Sequence, residues 1–258
     1  MAVPRIFSSW IRCSLLLGNL LAPVALFVSG FRVPWILGVA AVVHGLLIYA
    51  IVAPQCAWLG PVVTRFRAQG REVWLTIDDG PSGQESSQLA QELQSRGVRA
   101  TFFLKGHVLS GQPQHAAQLH ACGHTLANHT HTHPASTFWW LWPTTLRREL
   151  DACNEALESV GVTACRWFRA PVGLKHVFLH RELAVRGMRL IAWNVRGLDG
   201  VRCDPEAVVR RVLKKVAPGS IVVLHEGRAR SMEGILRVIE ELQERGYAFV
   251  IPSDEQLI

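Results

Sequence analysis

Thr76-Ile77-Asp78-Asp79-Gly80-Pro81 follows the apolar run Val73-Trp74-Leu75. The run reads as a short buried strand, and the Gly-Pro pair ends it. Two adjacent carboxylates therefore sit where a strand turns into a loop. Adjacent carboxylates repel, and keeping both ionised calls for a nearby cation. A metal held by one of them meets that need and leaves the other free to act as a base. The stretch points to an enzyme whose chemistry lies at the C-terminal end of a strand.

From Arg71 onward, short apolar runs alternate with longer amphipathic ones. Strands are predicted over 72–77, 100–105, 125–128, 167–170, 190–194, 220–225 and 248–251. Helices are predicted over 84–96, 113–121, 143–160, 179–186, 205–216 and 232–245. Gly97, Gly123, Gly161, Gly187, Gly219 and Gly246 fall at or just past helix ends, as C-terminal caps should. Seven βα-like units without a long linker imply a parallel sheet, and that number favours a barrel over an open sheet. In such barrels the site gathers at the C-terminal strand ends.

Other reactive residues fall at those ends. Asn128-His129-Thr130-His131-Thr132-His133-Pro134 closes the third strand. His129 and His133 are four apart, so one turn can bring both onto one metal; with a carboxylate from the Asp78-Asp79 pair they make a two-His, one-carboxylate site. Such a set leaves positions open for water and substrate. Arg169-Ala170-Pro171 ends the fourth strand and Leu224-His225-Glu226 the sixth. An imidazole emerging there from a buried strand can serve as a general acid near neutral pH.

Taken in order, residues 76–81, 129–133, 169–171, 193–199 and 224–225 resemble the five motifs of NodB-type polysaccharide deacetylases, the family-four carbohydrate esterases. Ala100-Thr101-Phe102-Phe103 and Gly123-His124 resemble that family's linking segments, and the similarity covers about residues 70–258. The resemblance implies a distorted (β/α)7 barrel and hydrolytic removal of an acyl group from an N-acylated amino sugar. It implies Asp79, His129 and His133 as ligands of a divalent metal, with zinc first and cobalt or a similar ion next, since such donors accept several metals. It implies Asp78 as the base that takes a proton from the attacking water, and His225 as the acid that protonates the leaving amine. Arg169 would hold Asp78 ionised, and Asp199 would partner Arg169. Pro171 and the backbone N–H of Val172 would form the oxyanion side, and Leu224 would line the acyl pocket.

The chain also departs from the family pattern. Ile77 stands for a Phe, Val172 for an aromatic, Arg196 for an acid and Gly200 for a Trp. A second cation near Arg169 needs an anion, and a phosphate or other acidic group on the substrate supplies one; a solvated Arg196 is the alternative. Phe138-Trp139-Trp140-Leu141-Trp142-Pro143 follows the histidines where relatives carry a polar loop. Phe138, Trp139, Trp140 and Trp142 read either as core or as an interfacial belt at the headgroup level.

The belt fits the first seventy residues. The net charge of +7 resembles a nucleic-acid signal, but residues 1–70 carry five Arg and no acid, and without them 22 basic residues face 20 acidic ones. No basic run with interleaved aromatics occurs elsewhere, so nucleic acid is not an expected partner. Residues 13–31 and 33–64 lack any charge. Two membrane spans fit, at about 13–30 and 34–53, within an anchor over 1–68, before a catalytic domain over 69–258. A signal peptide is the alternative for the first. Arg5 and Arg12 precede the first span, Arg65, Arg67 and Arg71 follow the second, and only Arg32 lies between. The positive-inside tendency then places both ends in the cytoplasm at a bacterial-type inner membrane. Six scattered cysteines without CxxC spacing read as buried or free thiols. The expected protein is a membrane-anchored, metal-dependent deacetylase of an N-acylated amino sugar or glycolipid, with membrane lipid as a further partner. An exported cell-wall deacetylase, a catalytically dead sugar-binding module and a hydrolase of a non-sugar amide or ester are the alternatives; the sequence is silent on oligomeric state.

Overall fold

A computed structural model describes residues 5–29, 34–201 and 204–258. Two helices come first, α1 (Arg5–Val28) and α2 (Pro34–Val52). Then follow β1 (Glu72–Asp78), α3 (Gln84–Ser95), β2 (Thr101–Leu104), α4 (Gly106–Gly111), α5 (Pro113–Ala121), β3 (Thr125–Asn128) and α6 (Pro143–Glu158). The remainder is β4 (Trp167–Phe168), α7 (Leu179–Val185), β5 (Arg189–Leu190), β6 (Val195–Arg196), α8 (Pro205–Lys215), β7 (Ser220–His225), α9 (Ser231–Glu244) and β8 (Ala248–Phe249). Local chemistry sets many of these boundaries. Proline occupies the first turn of α5, α6 and α8, where its missing N–H costs nothing. Asp204 caps α8, and Lys214 and Lys215 face the negative end of its dipole. Gly97, Gly123, Gly161, Gly187 and Gly246 all take positive φ just past a helix end.

All strand pairs are parallel, in the order β5-β4-β3-β2-β1-β7-β6, with β8 beside the start of β1. The single strand expected over 190–194 is broken: β5 pairs with β4 at one margin of the sheet and β6 with β7 at the other. The chain between them crosses the gap, so the sheet curls into a distorted barrel. Val63 fills part of the gap, donating its N–H to Leu190 and accepting from Ala192.

Strand alternation divides the core. Val73, Leu75 and Ile77 of β1 face the helices, with Leu89, Leu93, Val208, Ile235 and Ile239. Trp74 faces inward with Phe103, Trp167, Ile191, Trp193, Ile221 and Val223. Trp74 meets Trp167 edge-on at 4.8 Å and donates from Nε1 to Thr101 Oγ1 at 2.9 Å, so its one polar atom is satisfied in a dry interior. Thr76 and Asp78 share Trp74's parity and therefore point into the barrel.

Trp10–Val28 and Trp35–Val52 are each long and apolar enough to cross a membrane. They pack antiparallel: Gly18 lies against Val43, Asn19 donates to the Val43 carbonyl at 3.3 Å, and Ala22 and Leu26 meet Ala40. The first helix starts earlier than expected, at Arg5, and ends at Val28. The expected turn with Arg32, and Cys203, lie outside the described residues. Cys13, Cys56, Cys122, Cys153 and Cys165 are free thiols.

Gly219 has φ +78°, and a Cβ there would collide with the Phe66 carbonyl oxygen. The Phe66 N–H also donates to the Gly219 carbonyl at 3.0 Å, which holds the two segments together. Gly219→Ala should destabilise the protein by more than about 2 kcal/mol in chemical denaturation. An unchanged midpoint would mean that the 66–68 segment moves aside freely.

Candidate active site

The site grows from Arg169, which is 1 % exposed at the end of β4. Its Nη1 donates to Asp78 Oδ1 at 2.7 Å and to Thr76 Oγ1 at 2.8 Å. Nε and Nη2 reach the carbonyls of Ile191 and Ala192 at 3.2 and 3.1 Å. The guanidinium also lies 4.1 Å from the Phe103 ring centroid. A buried cation with this many partners holds Asp78 in one orientation.

Asp79 follows the strand with φ +77°, which turns its carboxylate away from that of Asp78. The loop after β3 brings two imidazoles to it. His133 Nε2 is 3.5 Å from Asp79 Oδ1 and His129 Nε2 is 4.0 Å away. Asn128 and α6 brace this loop. Asn128 accepts from the Thr130 N–H at 2.8 Å, and both carboxylate oxygens of Glu149 accept from Thr132 at 2.7 Å. His129 Nδ1 donates to the Arg169 carbonyl at 2.8 Å, which leaves Nε2 as the free lone pair.

The electrostatics suit a cation. Burial lowers the pKa of His129, and burial with the neighbouring His129 charge lowers that of His133 to about 4. Both rings are therefore neutral donors at pH 7. Burial alone would raise Asp79, but its electropositive surroundings, with His129 first and then Lys105, His133 and His225, outweigh it and hold the carboxyl below its usual range. One donor atom from each of Asp79, His129 and His133 lies within 4.8 Å of the others. Two neutral imidazoles, one of them oriented by the Arg169 carbonyl, and one carboxylate fit a divalent metal.

His225 ends β7 beside Asp78 in register. Asp199 accepts from its backbone N–H at 2.6 Å and from Nδ1 at 3.0 Å, so Nε2 is free to face the site. Burial lowers the pKa of His225, but the Asp199 hydrogen bond and the charges of Asp78, Asp199 and Asp79 reverse this and raise it above the usual value.

Several expectations change. Asp199 was expected on Arg169; it holds His225, and Arg169 is taken up by Asp78, Thr76 and two carbonyls. Phe138 is fully buried and stacks on Phe168 at 6.1 Å, so it belongs to the core and not to a membrane belt. The 138–140 turn sends its first ring inward and the next two outward: Trp139 and Trp140 stack at 5.3 Å and, with Trp142, are exposed. Leu224 has the opposite parity to His225 and packs, fully buried, on the helix side against Gly197, away from the expected pocket-lining position. Pro171 is buried, and Val172 is exposed with φ +47°. Arg196 lies 5.8 Å from the Trp193 ring, whose centroid is 5.6 Å from Arg169. His131 pairs with His107 and stands outside the metal-ligand set.

Other neighbours had not been singled out. Lys105 Nζ is 3.7 Å from Asp79 Oδ1 and Arg228 Nη2 is 3.9 Å from Oδ2. Thr76 shares the parity of Asp78, which was a usable signal; Lys105 and Arg228 sit just past strands flanking β1, a proximity visible only after pairing. Glu226 is buried beneath Gly80, accepts from Ser86 Oγ, and is pushed up to about 7 by burial.

Comparison with known proteins agrees with this arrangement. Residues 67–191 match the family model described as polysaccharide deacetylase. A chitooligosaccharide deacetylase from Bradyrhizobium is 31% identical over 192 residues, which cover 69% of this chain and 87% of that protein. A family-four carbohydrate esterase from Streptomyces lividans, solved with acetate, superposes with TM-score 0.66 at 27% identity, covering 73% of this chain and 96% of that one. A family-four pseudoenzyme from Bacillus anthracis superposes with TM-score 0.67 at 26% identity, covering 73% and 66%. Motif order, barrel topology and sequence similarity converge: the chain belongs to the polysaccharide deacetylases, the family-four carbohydrate esterases, hydrolases of carbon–nitrogen bonds other than peptide bonds.

Proposed function

We propose that this protein removes the N-acetyl group from an amino sugar carried on a membrane lipid, using a divalent metal, zinc first among the candidates. One fold neighbour is a pseudoenzyme, so the site and not the fold supports activity here. The carrying observation is the complete set of Asp78, Asp79, His129, His133, Arg169 and His225 gathered at the C-terminal ends of neighbouring strands. The similar Bradyrhizobium protein is named for deacetylating chitooligosaccharide, which supports an N-acetylated amino sugar as the reacting group.

Asp79, His129 and His133 would hold the metal, which when bound supplies Lewis acidity that polarises a carbonyl and acidifies water. The residues of the chain do the rest. Asp78, fixed through Oδ1 by Arg169, offers Oδ2 to a water proton; Oδ2 lies 4.0 Å from His129 Nε2, beside the ligand set. The N–H of Val172, on a left-handed turn, is the candidate donor to the developing oxyanion. His225, whose pKa the Asp199 hydrogen bond raises, gives its Nε2 proton to the departing amine. Arg196 and Arg228 supply positive charge at the rim for a phosphate between sugar and lipid. The two candidate spans support a membrane-held substrate, and the Arg distribution supports a cytoplasmic catalytic domain.

Release of acetate from N-acetylglucosamine-bearing lipids, followed as new free amine, tests the reading. Asp79→Asn should lower both bound metal and turnover at least about 100-fold, with metal content measured directly on the purified protein. Full metal occupancy in that variant would exclude the assigned ligand set. Protonated His225 is the active form and its pKa is raised, so kcat should fall on the alkaline side. Asp199→Asn removes the group that raises it and should move that limb to lower pH; an unmoved limb would remove His225 from the acid role. Arg196→Ala should raise KM about tenfold on phosphate-linked sugar while leaving neutral chitooligosaccharide unchanged. Equal turnover on every anionic substrate would remove Arg196 from recognition.

A further inference from the structure

The second apolar helix does not lead into a free linker. The carbonyl of Ile51, in its last turn, accepts from the Lys175 backbone N–H at 3.0 Å. The Lys175 ammonium, itself fully buried, donates to the Ala53 carbonyl, as a cation at a helix C-terminus should. Gln55 Nε2 donates to the Trp193 carbonyl at 2.8 Å. Gly173 has no room for a side chain, since a Cβ would lie 2.7 Å from Pro54 and 2.9 Å from Trp193. All of these partners belong to loops leaving C-terminal strand ends. The anchor therefore joins the barrel on the face that carries the active site, one residue from Val172.

The apolar surface is distributed the same way. Beyond residue 52, the exposed large hydrophobic side chains are Trp139, Trp140, Trp142, Val172, Phe178, Leu198 and Val201, together with Val185 and Ile258. The first seven lie in loops after β3, β4 and β6, on the catalytic face. The opposite end exposes charge instead, including Arg99, Arg166, Lys214, Lys215 and Arg245. A span ends at the headgroup level, and α2 at about 28 Å matches one hydrocarbon thickness. Trp10 lies at the same end of the antiparallel hairpin as Val52, and the Tyr49 and Trp58 rings meet there at 5.3 Å, as an aromatic belt would.

We propose that the catalytic face lies flat on the bilayer, with Trp140, Trp142, Leu198 and Val201 in the headgroup layer, so that substrate enters from the membrane surface. The occupant of this apolar rim is the lipid bilayer. The proposal rests on the membrane reading of α1 and α2 and deepens it; it stands apart from the chemistry, so its failure and a failure of the deacetylase reading are distinguishable. The test uses the full chain in phosphatidylethanolamine–phosphatidylglycerol vesicles, with a benzophenone amino acid replacing Trp142 or Val201 and, as a control on the far end, Arg245. These positions are exposed, so folding is not at stake. Irradiation should give phospholipid adducts at 142 and 201 about tenfold or more above those at 245. Equal adduct yields at all three positions would overturn it, as would a protein stripped from the vesicles by alkaline carbonate.

Discussion

Arg169 and Asp78 form an ion pair inside the barrel, and the site is arranged around it. The guanidinium touches β1 through Asp78 and Thr76 and the β5–β6 crossing through Ile191 and Ala192, while its own carbonyl orients His129. One residue thereby sets a base and the closure of the sheet through its side chain, and a ligand tautomer through its backbone carbonyl. Breaking a buried pair by removing one partner typically costs about 3–5 kcal/mol, because the other charge is left without compensation. The pair also separates two neighbouring carboxylates into different roles. Asp78 is tied directly to a buried cation, whereas Asp79 faces two imidazoles, with Lys105 at 3.7 Å and Arg228 at 3.9 Å, in the geometry of a metal ligand.

Precision at the strand ends depends on backbone conformations that most residues avoid. Among the described residues, the non-glycine positions with positive φ are Asp79, Thr130, His133, Val172, Leu198 and Arg230. Every one lies in a loop leaving a C-terminal strand end, and two are metal-ligand candidates. Such conformations persist only where surrounding contacts hold them. Here Glu149 and Asn128 brace the histidine loop, and Gly80 admits the Glu226 carboxyl beneath the Asp79 turn.

Much of this was legible in the residue order. Hydrophobic alternation placed the strands, the glycines marked helix ends, and the reactive residues fell where a parallel barrel puts its site. What the sequence obscured has a physical cause in each case. The break between β5 and β6 depends on Val63, far earlier in the chain, filling a gap that local periodicity cannot reveal. Asp199 could satisfy either Arg169 or His225, and only the fold decides between two nearby cations. Phe138 belongs to an aromatic run that looks uniform, yet a single 3-10 turn splits it between core and surface. Leu224 follows from strict alternation once His225 is placed inward.

The direct junction between α2 and the Gly173–Lys175 turn has a consequence for selectivity. A flexible tether would let a catalytic domain roam through a shell of solution and sample sugars at many distances. A helix hydrogen-bonded straight into the rim removes that freedom. If α2 spans a bilayer as proposed, the mouth of the barrel keeps a constant height and tilt above the lipid, and the mount becomes a ruler. Amino sugars presented at that height would then be met in the reactive orientation, while those on longer polymers would extend past it, whatever their chemical likeness.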